Sequence, residues 1–224
     1  MPEDEMKAKL LDAALSHVPF DGWSESTFKA AIADSGVAPG LARALFPRGG
    51  VDLALAYHRR GDDEMVAALA QRNLNALRFR DRIALAVRLR LELADRELVR
   101  RGTTLFSLPM HAADGAKAIW QTADRIWTAL GDTSDDLNWY TKRATLSGVY
   151  GATVLYWLGD DTPEAQATWD FLDRRIDQVM QVEKLKASFR ENPFGKAWMA
   201  GPGKLFETIR APKLPDDLPG RTRG

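Results

Sequence analysis

Residues 24–50 read SESTFKAAIADSGVAPGLARALFPRGG, and this stretch decides the fold. Ser24 can cap a helix, and Phe28, Ala31 and Ile32 then share one helical face. Gly36 makes a tight turn. Pro39 opens a third helix, at a position proline tolerates, and this helix runs through Phe46. Pro47 and the Gly49-Gly50 pair end it. Upstream, Leu10, Leu11, Ala14, Leu15 and Val18 keep helical spacing until Pro19 and Gly22 break it. Three short helices in this order predict a helix-turn-helix unit over residues 1–50.

The reading stays helical beyond Gly50. The spacing predicts a long helix from Val51 to about Leu77, then one from about Asp81 to Val99 through Ile83, Val87, Leu91 and Leu98. Pro109 marks a break. The next helix carries Ile119, Trp120, Ala123, Ile126, Trp127 and Leu130, and another runs from Asn138 to Leu158. Pro163 stands near the start of a last helix, reaching about Lys186. No strand alternation and no internal repeat is present. The expected domains are a helix-turn-helix unit (1–50), a helical ligand-binding bundle (51–184), an amphipathic C-terminal segment (185–210) and a disordered tail (211–224).

Composition narrows the classes. The chain has 224 residues, no cysteine and a formal net charge of zero. Disulfide and thiolate chemistry are excluded, and a generic polyanion binder is disfavoured. The start, MPEDEMK, is neither a signal peptide nor an Arg-rich transit peptide, and no apolar run approaches the ~20 residues that span a bilayer. A cytoplasmic protein with peripheral membrane contact is expected.

The bundle holds a second telling stretch, Gly131 to Arg143, which reads GDTSDDLNWYTKR. Gly131 stops a helix, the polar run from Asp132 to Asp136 caps the next, and Trp139-Tyr140 follow beside Lys142 and Arg143. An aromatic pair flanked by both charge signs suits a docking surface, and it suits an ordinary core equally well. The stretch continues as ATLSGVY from Ala144 to Tyr150 and resumes as TWDFLDRRI from Thr168 to Ile176. An N-terminal block, ALSHVPFDGWS from Ala14 to Ser24, fits with them, as do Leu45-Phe46-Pro47 and Gly49-Gly50. In these blocks the chain resembles the coenzyme Q biosynthesis protein nine family, the accessory lipid-binding proteins of ubiquinone synthesis.

That resemblance implies an all-α, TetR-repressor-like fold, with an N-terminal helix-turn-helix, a larger bundle and a C-terminal amphipathic extension. It implies a non-catalytic role, presenting an isoprenoid lipid or quinone intermediate to a pathway hydroxylase. The expected lipid-binding residues are Leu105, Phe106, Leu108, Met110, Ile119, Trp120, Ala123 and Trp127. Spacing alone reads most of these as core. A demethoxyubiquinone hydroxylase would dock on Asp124, Ile126, Asp136, Trp139, Tyr140 and Arg143, with Trp139 and Tyr140 as exposed anchors. Phe189, Phe194, Trp198, Leu205, Phe206 and Ile209 alternate with cations and suit a membrane surface. The fold implies a homodimer, and Ser147-Gly148 and Gly151-Ala152 could serve its seam or make room for a ligand.

No catalytic pattern appears. His17, His58 and His111 are far apart, and no metal spacing, phosphate loop or nucleophile elbow is found. No cofactor is expected. The runner-up function is a TetR-like, ligand-responsive transcriptional regulator, which the residues do not favour. Residues 1–50 hold five cations against seven anions, a balance of −2, and the third helix offers one arginine and no amide or hydroxyl. A sequence reader needs cations for phosphates and donors for base edges, so no specific DNA is expected. The arginines between Arg72 and Arg101 read as a solvated helix face, with anionic lipid head groups as a secondary partner.

Overall fold

A computed structural model describes the backbone of residues 2–191 and the side chains of residues 2–181. Within them the chain folds into ten α-helices: α1 (Glu3–Leu15), α2 (Val18–Asp21), α3 (Glu25–Ser35), α4 (Pro39–Leu45), α5 (Gly50–Ala70), α6 (Phe79–Glu92), α7 (Arg96–Phe106), α8 (Ala112–Ala129), α9 (Leu137–Leu158) and α10 (Gln166–Glu191). Single 3-10 turns stand at Leu74–Ala76 and Pro163–Ala165. There is no strand among the described residues.

The caps sit where polar residues can satisfy the first free backbone amides. Ser24 accepts from the Thr27 amide at 3.2 Å, and Asp136 accepts from the Asn138 amide at 2.9 Å. Gly36 closes α3 in the left-handed region at φ 66°. The expected helix from Asp81 to Val99 is two helices. The chain turns at Leu93-Ala94, and Asp95 then starts α7 by accepting from the Glu97 and Leu98 amides. The long helix from Val51 stops at Ala70, ahead of the Leu74–Ala76 turn.

Two apolar clusters hold the molecule. Leu10, Ala14, Val18, Phe28, Ala31, Ala42 and Phe46 pack the first four helices together. Met65, Val87, Leu91, Ile126, Leu146, Trp157, Trp169 and Leu172 pack α5, α6, α8, α9 and α10. Helix α5 belongs to both. Its N-terminal Leu53 and Ala54 complete the first cluster, and its C-terminal Met65 and Leu69 enter the second.

Several arginines between Arg80 and Arg101 fasten helices together, though Arg88, Arg100 and Arg101 remain partly exposed. Arg80 pairs with Asp173 and Asp177 of α10. Arg96 donates to the Asp160 carbonyl, Arg100 to that of Leu158 and Arg101 to that of Pro19. Helix ends leave carbonyls without partners, and a long guanidinium can reach them from a neighbouring helix.

Candidate functional site: an apolar cavity with a polar corner

Where α5, α7, α8 and α9 meet, the bundle forms a half-open cavity of about 390 Å³. Its walls are mostly apolar, with Ala54, Val99, Phe106, Ile119 and Val154 among them. Trp23 reaches in from the N-terminal unit, fixed by an indole N–H donated to the Leu98 carbonyl at 3.1 Å. Missing side chains supply much of the space. Gly102, Gly115 and Gly151 all line the cavity. A Cβ on Gly115 would lie 2.7 Å from Phe106 Cβ, so glycine is required there for helix contact.

Polar groups gather in one corner. The α5 stripe Ala54, His58, Asp62, Met65, Leu69 is interrupted by two titratable residues. The α6 stripe Ile83, Val87, Arg90, Leu91 is interrupted by one. These meet: Arg90 Nε donates to Asp62 at 2.7 Å, and both side chains are almost fully buried. Arg90 also donates to the His58 carbonyl at 3.0 Å. From α8, Thr122 donates to Asp62 at 2.9 Å and lies 2.8 Å from His58 Nε2. A buried ion pair persists only when further hydrogen bonds satisfy it, and Thr122 and the His58 carbonyl supply them. Burial lowers the His58 pKa below its ordinary value, only partly opposed by Asp62, so the imidazole is neutral near pH 7. Burial raises the Tyr150 pKa, and its phenol stays protonated beside the cavity.

A second cluster lies at the α8–α9 junction. Arg143, 2% exposed, donates to Asp124 at 2.5 Å and to Asp132 at 2.9 Å, and its guanidinium lies 4.0 Å from the Trp139 ring centroid. Lys142 donates to the same Asp132 at 2.7 Å. Burial opposes ionisation of Asp132, but Lys142, Arg143 and Ser134 outweigh it and hold the pKa down at about 2. Trp139 packs between Trp120 at 6.0 Å and Tyr140 at 4.8 Å, so the pair is half-buried and not fully exposed.

The structure sorts the expected residues. Of the lipid set, Phe106 and Ile119 line the cavity. Leu105 packs against the N-terminal cluster, and Leu108 and Met110 are exposed. Ala123 and Trp127 are core. The Trp127 indole donates to the Lys142 carbonyl at 3.1 Å and packs on Phe79, while Trp120 turns to Trp139. The reason is position along α8: the cavity takes its N-terminal half, and the tryptophans point to other neighbours. Of the docking set, Ile126 and Arg143 are interior and cannot meet a partner directly. Asp124, Asp136, Trp139 and Tyr140 keep partial exposure. Gly151 lies in the cavity wall, whereas Gly148 faces open space. Phe194, Trp198, Leu205, Phe206 and Ile209 fall outside the described residues, as does the Phe189 side chain.

His58, Asp62, Arg90, Thr122 and Tyr150 were missed in the sequence. The available signal was a charged or imidazole residue within a buried helical stripe. In the N-terminal unit, Arg43 pairs with Glu25 and covers the Phe28 ring, and Arg48 pairs with Asp52 and Asp114. Among the described residues there is no cluster with metal-ligand geometry, and no helix is long and apolar enough to cross a membrane.

A small helical unit joined to a larger bundle with a cavity is a TetR-like, all-α fold. A TetR transcriptional regulator from Nitrosomonas europaea superposes with a TM-score of 0.64, over 79% of this chain and 99% of that one, at 17% identity. Residues 112–183 match the COQ9 family model. The ubiquinone biosynthesis protein COQ9 of Drosophila melanogaster is 31% identical over 188 residues, covering 81% of this chain and 57% of the relative. The human COQ9 protein is 28% identical over 80% of this chain and 59% of its own length. The chain belongs to the COQ9 family, and it spans a little under three fifths of the length of these relatives, which are mitochondrial proteins by name.

Proposed function

We propose that the protein is a non-catalytic accessory factor of ubiquinone biosynthesis that holds an isoprenoid intermediate in its cavity and presents it to a pathway hydroxylase. One observation carries this reading: a largely apolar cavity of about 390 Å³ with a few polar groups in one corner. That is the usual form of a site for a small amphiphile. A polyprenyl chain leaves a bilayer only if its tail is reburied, at about 0.8 kcal/mol per CH₂. The names of the relatives supply the pathway. The partially exposed Trp139 and Tyr140, framed by Asp124 and Asp136, are the proposed hydroxylase contact. The C-terminal segment 185–210 is the proposed membrane contact, and a homodimer the proposed assembly.

The test is native mass spectrometry with identification of co-purified lipid, on the full chain and on Gly151→Leu. A Cβ at Gly151 would meet Ile119 Cδ1 at 3.6 Å, an ordinary contact, so the first added carbon fits and the rest of the leucine would take up cavity space. The wild-type chain is expected to carry an isoprenoid and the variant to lose it with little change in melting temperature. A variant that melts normally and retains its lipid places the lipid elsewhere.

A further inference from the structure

The polar corner fixes more than the presence of a ligand. His58 Nε2 lies 3.1 Å from the Ala118 carbonyl oxygen, which can only accept. That nitrogen therefore carries the proton. Thr122 has one hydroxyl hydrogen; the Asp62 carboxylate at 2.9 Å is its nearer acceptor and the Ala118 carbonyl at 3.3 Å the farther one. The Thr122 oxygen is then free to accept from His58 Nε2 at 2.8 Å. Arg90, on the far side, donates to the same Asp62 oxygen at 2.7 Å. With Nε2 protonated, the neutral imidazole leaves His58 Nδ1 bare.

Among the described residues Nδ1 receives no hydrogen bond. Nor is it sealed away, because the buried side-chain N and O atoms without partners there are Arg80 Nε and Ser147 Oγ. The residue lines the cavity. The cavity thus presents an acceptor, and a ligand seated against it must bring a donor.

We infer that His58 Nδ1 receives a hydroxyl group at the head of an apolar chain, so that the cavity selects a phenolic or reduced ring over its quinone form. The inference rests on the lipid-holding reading above. A quinone has only acceptor oxygens, and against Nδ1 each would face another acceptor. A phenol or hydroquinone donates its O–H there. Thr103, Ser107 and Tyr150 also line the cavity, but their hydroxyls can donate as well as accept and so do not tell the two forms apart; the discrimination falls on Nδ1, which only accepts.

The experiment measures binding of three probes to the full chain and to His58→Leu: a farnesylated phenol, farnesylbenzene, which lacks only the hydroxyl, and farnesol, which keeps the hydroxyl without the ring. The wild-type preference for the phenol over farnesylbenzene should fall about tenfold in His58→Leu, the effect of one hydrogen bond to a buried acceptor. Farnesol matching the phenol would assign the hydroxyl alone, and farnesol binding more weakly would assign the ring hydroxyl. An unchanged preference in the variant overturns the inference and leaves the lipid cavity standing. Failure of all three probes to bind removes the cavity reading and the inference with it. Nitrogen-15 NMR of the wild-type histidines needs no variant. Nδ1 of His58 should be unprotonated, and its resonance should move with the phenol and stay with farnesylbenzene. A protonated Nδ1 overturns the inference even if His58→Leu fails to fold.

Discussion

Replacing Asp132 by Asn tests whether the α8–α9 junction is held electrostatically. The wild-type carboxylate accepts from Lys142 at 2.7 Å and from the buried Arg143 at 2.9 Å. Its pKa falls from the ordinary 3.8 to about 2. At about 1.36 kcal/mol for each tenfold step, that corresponds to roughly 2.5 kcal/mol of stability. A lowered carboxylate pKa contributes stability that is fully present above about pH 4 and lost as pH falls through about 2. Asp124 still neutralises Arg143 in the variant, so the loss should stay below the ~3–5 kcal/mol of a fully broken buried pair. Urea denaturation should therefore give a gap of about 2 kcal/mol between the two chains at pH 7, roughly halved at pH 3 as the Asp132 carboxyl protonates in the unfolded chain. A gap under about 0.5 kcal/mol at pH 7, or one that does not narrow toward pH 3, refutes the reasoning.

Other substitutions separate core from surface. Trp127→Ala should cost ~3–5 kcal/mol in denaturant titration, since the ring is buried among Phe79 and the bundle core; a loss below about 1 kcal/mol would show the ring to be peripheral. The double variant Trp139→Ala, Tyr140→Ala should abolish co-purification with the hydroxylase and also lower the melting temperature, because Trp139 packs on Trp120 and covers Arg143; unchanged co-purification would move the partner surface elsewhere. Gel-shift titration after genomic selection should find no preferred DNA sequence, with Arg43 and Arg48 already engaged by carboxylates; a site bound at nanomolar concentration would contradict this.

Legibility in the sequence followed local chemistry. Ser24, Gly36, Pro39 and Asp136 act on their own turns, so their roles could be read from neighbouring letters. The break at Asp95 was hidden because Val99 and Leu98 continue a plausible stripe across it. The tryptophans of α8 drew attention by size, but size does not say which neighbour a ring meets. The cavity depends instead on glycines, on Trp23 and on His58, Asp62 and Arg90, which come together from distant helices. A single helical stripe shows that His58 or Arg90 is out of place. It does not show that both are out of place at the same point.

Trp23 gives the N-terminal helices a duty unconnected with nucleic acid. Its indole crosses from the small unit and forms part of the cavity wall. Cut the chain before α5 and that part of the wall becomes a window, through which water would reach the apolar lining. The bundle therefore cannot shed this unit and keep its cavity whole, whether or not the unit reads a base pair. The small N-terminal helices act as a stopper.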